Sequence, residues 1–256
     1  MALMHLDFFS DTLKIDSSVH IIFPQKCERS PSIPEGPYKV LYLLHGLKQN
    51  ETSYLRNSNV ERYVRNLPLV VVMPSVDRSF YTDQVRGYPY FTYLTEELPT
   101  LLSSLFAIST KAEDTAIAGL SMGGYGALKV ALTYPERYSA AASMSGAVDL
   151  VDLSRKIETD GQIFPYEFEN TFGVLEDLEN SRHNLFALAR GIAETEGKPR
   201  LYLTCGSEDY LLGGNRKFVS EFSSTFPLVY DEYPGAHTWD FWDSALQRVL
   251  SFLYAC

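Results

Sequence analysis

Apolar residues along this chain fall into two rhythms: short runs with almost no polar interruption, and longer stretches that repeat every three to four positions. The two alternate over nearly the whole length. Val40-Leu41-Tyr42-Leu43-Leu44 and Leu69-Val70-Val71-Val72-Met73 are apolar throughout. A strand buried on one face alternates, whereas a strand buried on both faces does not, so these runs predict a mainly parallel sheet covered by helices. Strands are expected at Val19–Phe23, Val40–His45, Leu69–Pro74, Thr115–Leu120, Ala140–Ser145, Arg200–Cys205 and Leu228–Tyr233. The first alternates more than the others and is expected to lie antiparallel at the sheet edge. Helical spacing marks Ser53–Asn66, Tyr93–Phe106, Gly123–Tyr134, Leu185–Glu194, Gly213–Ser224 and Trp239–Tyr254. The β-α-β-α order predicts a doubly wound α/β sheet, whose ligands sit beyond the carboxyl ends of the strands.

Two segments break the alternation. Cys27–Pro37 carries three prolines and reads as a loop entering the second strand. From about Val148 to Arg182 the periodicity is weak, with Gly161, Pro165 and the aromatics Phe164, Tyr166, Phe168 and Phe172. That stretch is a candidate lid over a site at the strand ends, or equally a surface excursion packed on its own aromatics. No repeat or linker divides the 256 residues, so a single domain spanning 1–256 is expected.

Composition narrows the partners. A net charge of −10 without a basic run argues against nucleic acid, which needs concentrated Lys and Arg. The N-terminus lacks the charged and apolar regions of a leader, and nothing approaches the ~20 apolar residues of a membrane span, so a cytosolic protein is expected. Cys27, Cys205 and Cys256 are odd in number and widely spaced, fitting neither a disulfide framework nor a zinc site. Cys205, in an expected buried strand, reads as packing.

The chemistry starts at Gly119-Leu120-Ser121-Met122-Gly123, between the run Thr115–Ala118 and the helical stretch that follows. Strand, sharp turn and helix with serine at the apex is the geometry that lifts a nucleophilic hydroxyl clear of a sheet. Serine needs a base, usually histidine, oriented by a carboxylate. On such sheets the chain order is serine, acid, histidine. Asp209 lies just past the strand Arg200–Cys205, and its alternative reading is a turn or helix-capping residue. Glu208 beside it would point elsewhere. Of five histidines, His5, His20 and His45 precede Ser121, and His183 precedes Asp209. Only His237, in the loop before the last helix, follows both. The oxyanion donors expected are the backbone N–H of Met122, at the start of the helix, and of Leu47, which follows the flexible Gly46. His45 reads as a structural residue of that loop.

Leu43-Leu44-His45-Gly46, Gly119-Leu120-Ser121-Met122-Gly123-Gly124-Tyr125-Gly126, Gly206-Ser207-Glu208-Asp209 and Gly235-Ala236-His237-Thr238-Trp239 together resemble the putative-esterase (esterase D-like) family of α/β hydrolases. The likeness to its tributyrin esterase branch extends through Asn59–Arg62, Val71–Pro74, Phe80–Asp83 and Glu96–Pro99. The resemblance implies an α/β-hydrolase fold and a serine carboxylesterase for short acyl esters. Ser121 would be the nucleophile, Asp209 the orienting acid, His237 the base, and Leu47 and Met122 the oxyanion donors. It implies no cofactor and no metal, a small-molecule ester as partner, and self-association as a weaker expectation. Sugar-ester hydrolysis is the alternative, with Tyr81, Tyr88, Tyr90, Trp239 and Trp242 as stacking platforms or as packing. S-formylglutathione hydrolysis is a further one, although Leu-Leu-His-Gly departs from the usual sequence of that enzyme before the oxyanion loop. A non-catalytic scaffold is disfavoured, because all three triad positions are filled.

Overall fold

The computed structural model of the chain describes residues 1–28, 30–160, 163 and 165–254. Gly161, Phe164 and Cys256, named above, lie outside the described residues. Among the described residues eight strands form one sheet: β1 (Ala2–Ser10), β2 (Ile15–Phe23), β3 (Lys39–Leu44), β4 (Leu69–Pro74), β5 (Thr115–Leu120), β6 (Ala140–Met144), β7 (Arg200–Gly206) and β8 (Leu228–Tyr233). Their order is β1-β2-β4-β3-β5-β6-β7-β8. From β4 to β8 every pairing is parallel, while β1–β2 and β2–β4 are antiparallel. The expected doubly wound α/β sheet is therefore the one observed.

The edge is not where the sequence placed it. Val19–Phe23 is antiparallel, but β1 pairs with its outer side from Ala2↔Phe23 to Ser10↔Ile15 and takes the edge itself. The signal was there in period two: Met4, Leu6 and Phe8 turn toward the core, while Leu3, His5, Asp7 and Phe9 face outward. An N-terminus judged only for leader character hides such a strand.

The helices are α1 (Ser53–Asn57), α2 (Val60–Val64), α3 (Tyr90–Thr92), α4 (Leu98–Leu105), α5 (Met122–Thr133), α6 (Leu150–Asp160), α7 (Pro165–Phe172), α8 (Leu185–Gly191), α9 (Leu212–Phe222) and α10 (Trp239–Tyr254). The stretch expected as one helix, Ser53–Asn66, is two. Ser58 is extended, and its hydroxyl caps the Tyr54 carbonyl at 2.6 Å, closing α1 before α2 begins. Between α3 and α4 the chain widens into a π turn, Tyr93–Glu97. Pro99 has no N–H for the Thr95 carbonyl and its ring crowds that oxygen; Arg137 Nη1 takes the orphaned carbonyl at 3.3 Å.

The two sheet faces carry separate cores. One packs under α5, α8 and α9, the other under α1, α2 and α10. Helix α5 is buried from Met122 to Leu132, which fixes its first turn against the ends of β3 and β5. Among the described residues no helix is long and apolar enough to cross a membrane. The stretch after β6 holds α6, α7 and a 3-10 turn at Leu175–Asn180. Its α7 is fastened down: Phe168 and Phe172 each sit 5.5 Å from the Phe80 ring, and Arg78 forms a two-pronged pair with Glu167 at 2.7 Å.

Candidate active site

Ser121 sits between β5 and α5 with φ +55° and ψ −118°, a conformation that side-chain-bearing residues rarely adopt. The turn brings helix and strands so close that glycine is required on both sides. A Cβ on Gly119 would lie 2.3 Å from the Gly123 carbonyl oxygen, and one on Gly123 would lie 2.2 Å from that of Leu44. Backbone bonds lock the strained apex: the Ser121 N–H donates to Met144 O at 2.9 Å, and its carbonyl accepts from Ala147 N–H at 3.1 Å.

Asp209 follows β7, and its side chain is fully shielded from solvent. Both carboxylate oxygens accept a hydrogen bond, Oδ1 from the Leu211 N–H at 2.8 Å and Oδ2 from His237 Nδ1 at 2.9 Å. Adjacent Glu208 is exposed and within 3.3 Å of the Ser207 hydroxyl instead. His237 lies in the loop between β8 and α10. Trp242 meets the imidazole edge-on at 4.8 Å and Tyr210 packs on it at 4.6 Å. These rings hold Nε2 at 3.0 Å from Ser121 Oγ.

Three residues separated by up to 116 positions thus meet in one hydrogen-bonded line, as their order in the chain anticipated. With Nδ1–H given to a carboxylate, Nε2 presents a lone pair to the serine proton. Leu47 and Met122 line the pocket beside Ser121, Met122 as the first residue of α5. The loop carrying Leu47 is stiff. His45 is buried with both ring nitrogens committed to backbone, Nδ1 to Gly46 O at 2.8 Å and Nε2 to the Val76 N–H at 3.2 Å. Burial keeps its pKa below the ordinary value, so it is a neutral strut. Tyr81 donates its hydroxyl to His45 O at 2.8 Å.

The pocket over Ser121 encloses about 230 Å³. Its walls are Leu47, Phe80, Met122, Leu153, Ile163 and Trp242 among others, so α6 and the stretch after it reach the site. A second cleft of about 380 Å³ shares Leu153, Tyr210 and Leu211 with it. Of the aromatics weighed as sugar platforms, Tyr81 and Tyr90 are buried in the core and Trp239 packs edge-on against Tyr54. Trp242 alone lines the pocket, and Tyr88 is exposed outside it.

One supporting residue escaped the sequence reading. Lys129 is buried on α5, with Nζ 2.5 Å from Thr82 Oγ1, 3.3 Å from Tyr81 O and 3.5 Å from His183 Nδ1. It therefore fixes the backbone of Tyr81, whose hydroxyl braces the loop carrying Leu47. A lone lysine in Ala127-Leu128-Lys129-Val130-Ala131-Leu132 was the signal available. Burial, with some help from Arg182, brings its pKa down to about 7, and burial together with Lys129 brings that of His183 to about 3. The unfolded chain keeps the lysine proton to about pH 10.4. Between those values the unfolded state binds more protons, so this group makes stability rise with pH. The urea midpoint of the wild type, taken relative to Lys129→Met, is expected to climb from about pH 7 to pH 10. A flat difference across that range would show that Lys129 does not titrate there.

Residues 10–253 match the family described as "Putative esterase". An acetyl esterase from Caldicellulosiruptor saccharolyticus is 29% identical over 99% of this chain and 98% of its own. The substrate-bound structure of FphF, a fluorophosphonate-binding serine hydrolase of Staphylococcus aureus, superposes with a TM-score of 0.88 at 30% identity, covering 98% of each chain. The S-formylglutathione hydrolase FrmB of the same organism superposes with a TM-score of 0.85, also at 30% identity and 98% coverage of both. The chain belongs to the putative esterase family of α/β hydrolases and is a serine hydrolase acting on ester bonds.

Proposed function

We propose that this enzyme is a carboxylesterase for short acyl groups, working through a Ser121–His237–Asp209 triad. The observation that carries the proposal is the hydrogen-bonded line from Asp209 to Ser121 Oγ opening into a pocket of only about 230 Å³. Ordinary small-molecule sites run to about 300–1,000 Å³. Ser121 Oγ attacks the ester carbonyl while His237 Nε2 takes its proton, and the Leu47 and Met122 N–H groups receive the oxyanion. His237 then hands the proton to the leaving alcohol as the C–O bond breaks. Water, deprotonated by the same imidazole, releases the acid. Asp209 holds Nδ1–H throughout. No step calls for a metal or cofactor.

Residues 148–182 act in this reading as a cover within a single catalytic domain. Leu153 and Ile163 from this segment close the acyl end, and the Arg78–Glu167 pair with the Phe80–Phe168–Phe172 cluster keeps the cover seated. Initial rates on p-nitrophenyl esters from acetate to decanoate test the length limit. They are expected to peak between acetate and butyrate and to fall at least tenfold by octanoate, a loss of about 1.4 kcal/mol in transition-state binding. Equal rates on decanoate would mean that the cover does not bound the acyl pocket.

A second reading concerns the leaving group. The adjoining cleft carries Arg155, Lys156 and Lys217, with Asp149 and Asp152 as partners for the two lysines. It offers polar room for a bulky alcohol or thiol, in line with relatives named as an acetyl esterase and an S-formylglutathione hydrolase. A glycosyl acetate and S-formylglutathione, compared by kcat/KM, separate these two leaving groups.

A further inference from the structure

We propose that His5, His20 and Glu51 form a binding site for a divalent transition metal of the zinc type, which clamps the β1–β2 hairpin onto the loop between β3 and α1. The three side chains come from separate elements, and the ester chemistry uses none of them.

The register of β1 with β2 sets His5 directly opposite His20. Their rings stack at 4.5 Å between centroids, with 4° between planes. Glu51 arrives from the loop after β3, and one ligand atom from each residue lies within 4.8 Å of the other two. Two imidazole nitrogens and a carboxylate oxygen are the donor set that suits Zn²⁺ and its first-row neighbours, as distinct from Ca²⁺ or Mg²⁺.

Two further observations separate this trio from a chance surface cluster. His20 Nδ1 is shielded from solvent and has no hydrogen-bond partner. A buried ring nitrogen with nothing to bind is costly, and a metal would satisfy it. Asp7, with Oδ1 3.2 Å from His5 Nε2, adds a second carboxylate at the rim, the kind of outer partner that orients metal-bound imidazoles.

Bonds of about 2.0–2.1 Å in a tetrahedral site put ligand atoms roughly 3.3 Å apart. The trio must therefore contract, and the two rings must splay so that their lone pairs converge. His5 is half exposed on an edge strand and free to make that rotation. Glu51 is only four residues beyond Leu47, so the clamp would steady the loop that carries an oxyanion donor.

The test uses tag-free protein, stripped with a chelator and titrated with Co²⁺ while visible absorption is followed, then with Zn²⁺ in competition. One equivalent is expected to bind at about micromolar concentration or tighter, with the intense bands of four-coordinate Co²⁺. Zn²⁺ at a hundredfold excess over its dissociation constant should raise the melting temperature by roughly 5–10 °C. His5→Gln and Glu51→Gln should each weaken binding at least tenfold, and His237→Asn should leave it unchanged. His5 faces solvent, so His5→Gln keeps the fold, as far-ultraviolet circular dichroism of the metal-free protein would verify. No stoichiometric uptake, uptake indifferent to His5→Gln and Glu51→Gln, or uptake abolished by His237→Asn would each overturn the proposal.

Discussion

Ser121→Ala is expected to leave the fold intact and to remove ester turnover, with kcat falling roughly 10⁶-fold by analogy with loss of the serine in other triads. The substitution deletes one oxygen and nothing else. Backbone strain at φ +55° belongs to any side-chain-bearing residue there, so alanine inherits it unchanged. The bonds that hold the apex, to Met144 O and from Ala147 N–H, are made by the main chain and persist. His237 loses the hydroxyl 3.0 Å from Nε2, but its side chain is 16% exposed and water can replace it. The melting temperature should therefore shift by no more than a few degrees while activity vanishes. Residual hydrolysis above the uncatalysed rate would come from the oxyanion donors alone. Full activity in Ser121→Ala, measured on p-nitrophenyl butyrate, would remove the nucleophile proposed here.

What the chain discloses before folding, and what it withholds, follows from the range of each interaction. Runs such as Leu69–Met73 announce a buried strand because burial on both faces leaves no polar position, and the structure places β4 there. Gly119 could be read because its close approach to Gly123 is a local demand, whereas the approach of Gly123 to the Leu44 carbonyl belongs to the fold. The order Ser121, Asp209, His237 was legible because strand ends converge at one edge of a parallel sheet. The losses are of another kind. Edge strand β1 was hidden in a stretch read only for leader character, although its alternation was visible. The break at Ser58 turns on one hydroxyl choosing the Tyr54 carbonyl, which no periodicity encodes. Lys129 stands out in a helix of aliphatics, yet its partners Tyr81, Thr82 and His183 are 47 to 54 positions away. Arg78 and Glu167 meet across 89 positions, and neither residue hints at the other. Local geometry and the chain order of the serine, acid and histidine could be read, whereas the supporting pairings of Lys129 and of Arg78 with distant polar groups emerged only with the fold.

The sharpest discrimination at the site concerns two neighbouring carboxylates. Asp209→Asn is expected to lower kcat about 10⁴-fold near neutral pH with KM little changed, the loss seen when a triad aspartate becomes an amide. Here the geometry says why an amide cannot substitute. Both oxygens of Asp209 are acceptors, one for the Leu211 N–H and one for His237 Nδ1–H. An amide has one acceptor. If its oxygen serves Leu211, its NH₂ faces Nδ1, and the imidazole must accept there and carry its proton on Nε2, where it can no longer take one from Ser121. If its oxygen serves His237, the NH₂ faces the Leu211 N–H, donor against donor in a site closed to water. Such an unsatisfied buried group costs about 1–3 kcal/mol, so some stability should be lost as well. Glu208→Gln changes an exposed side chain within reach of Ser207, and kcat should stay within roughly twofold of wild type. The two variants, compared by kcat and KM on one ester, rank the acids directly. A crippled Glu208→Gln beside an active Asp209→Asn would move the orienting role to Glu208 and would require β7 to end in a different turn from the one that buries Asp209.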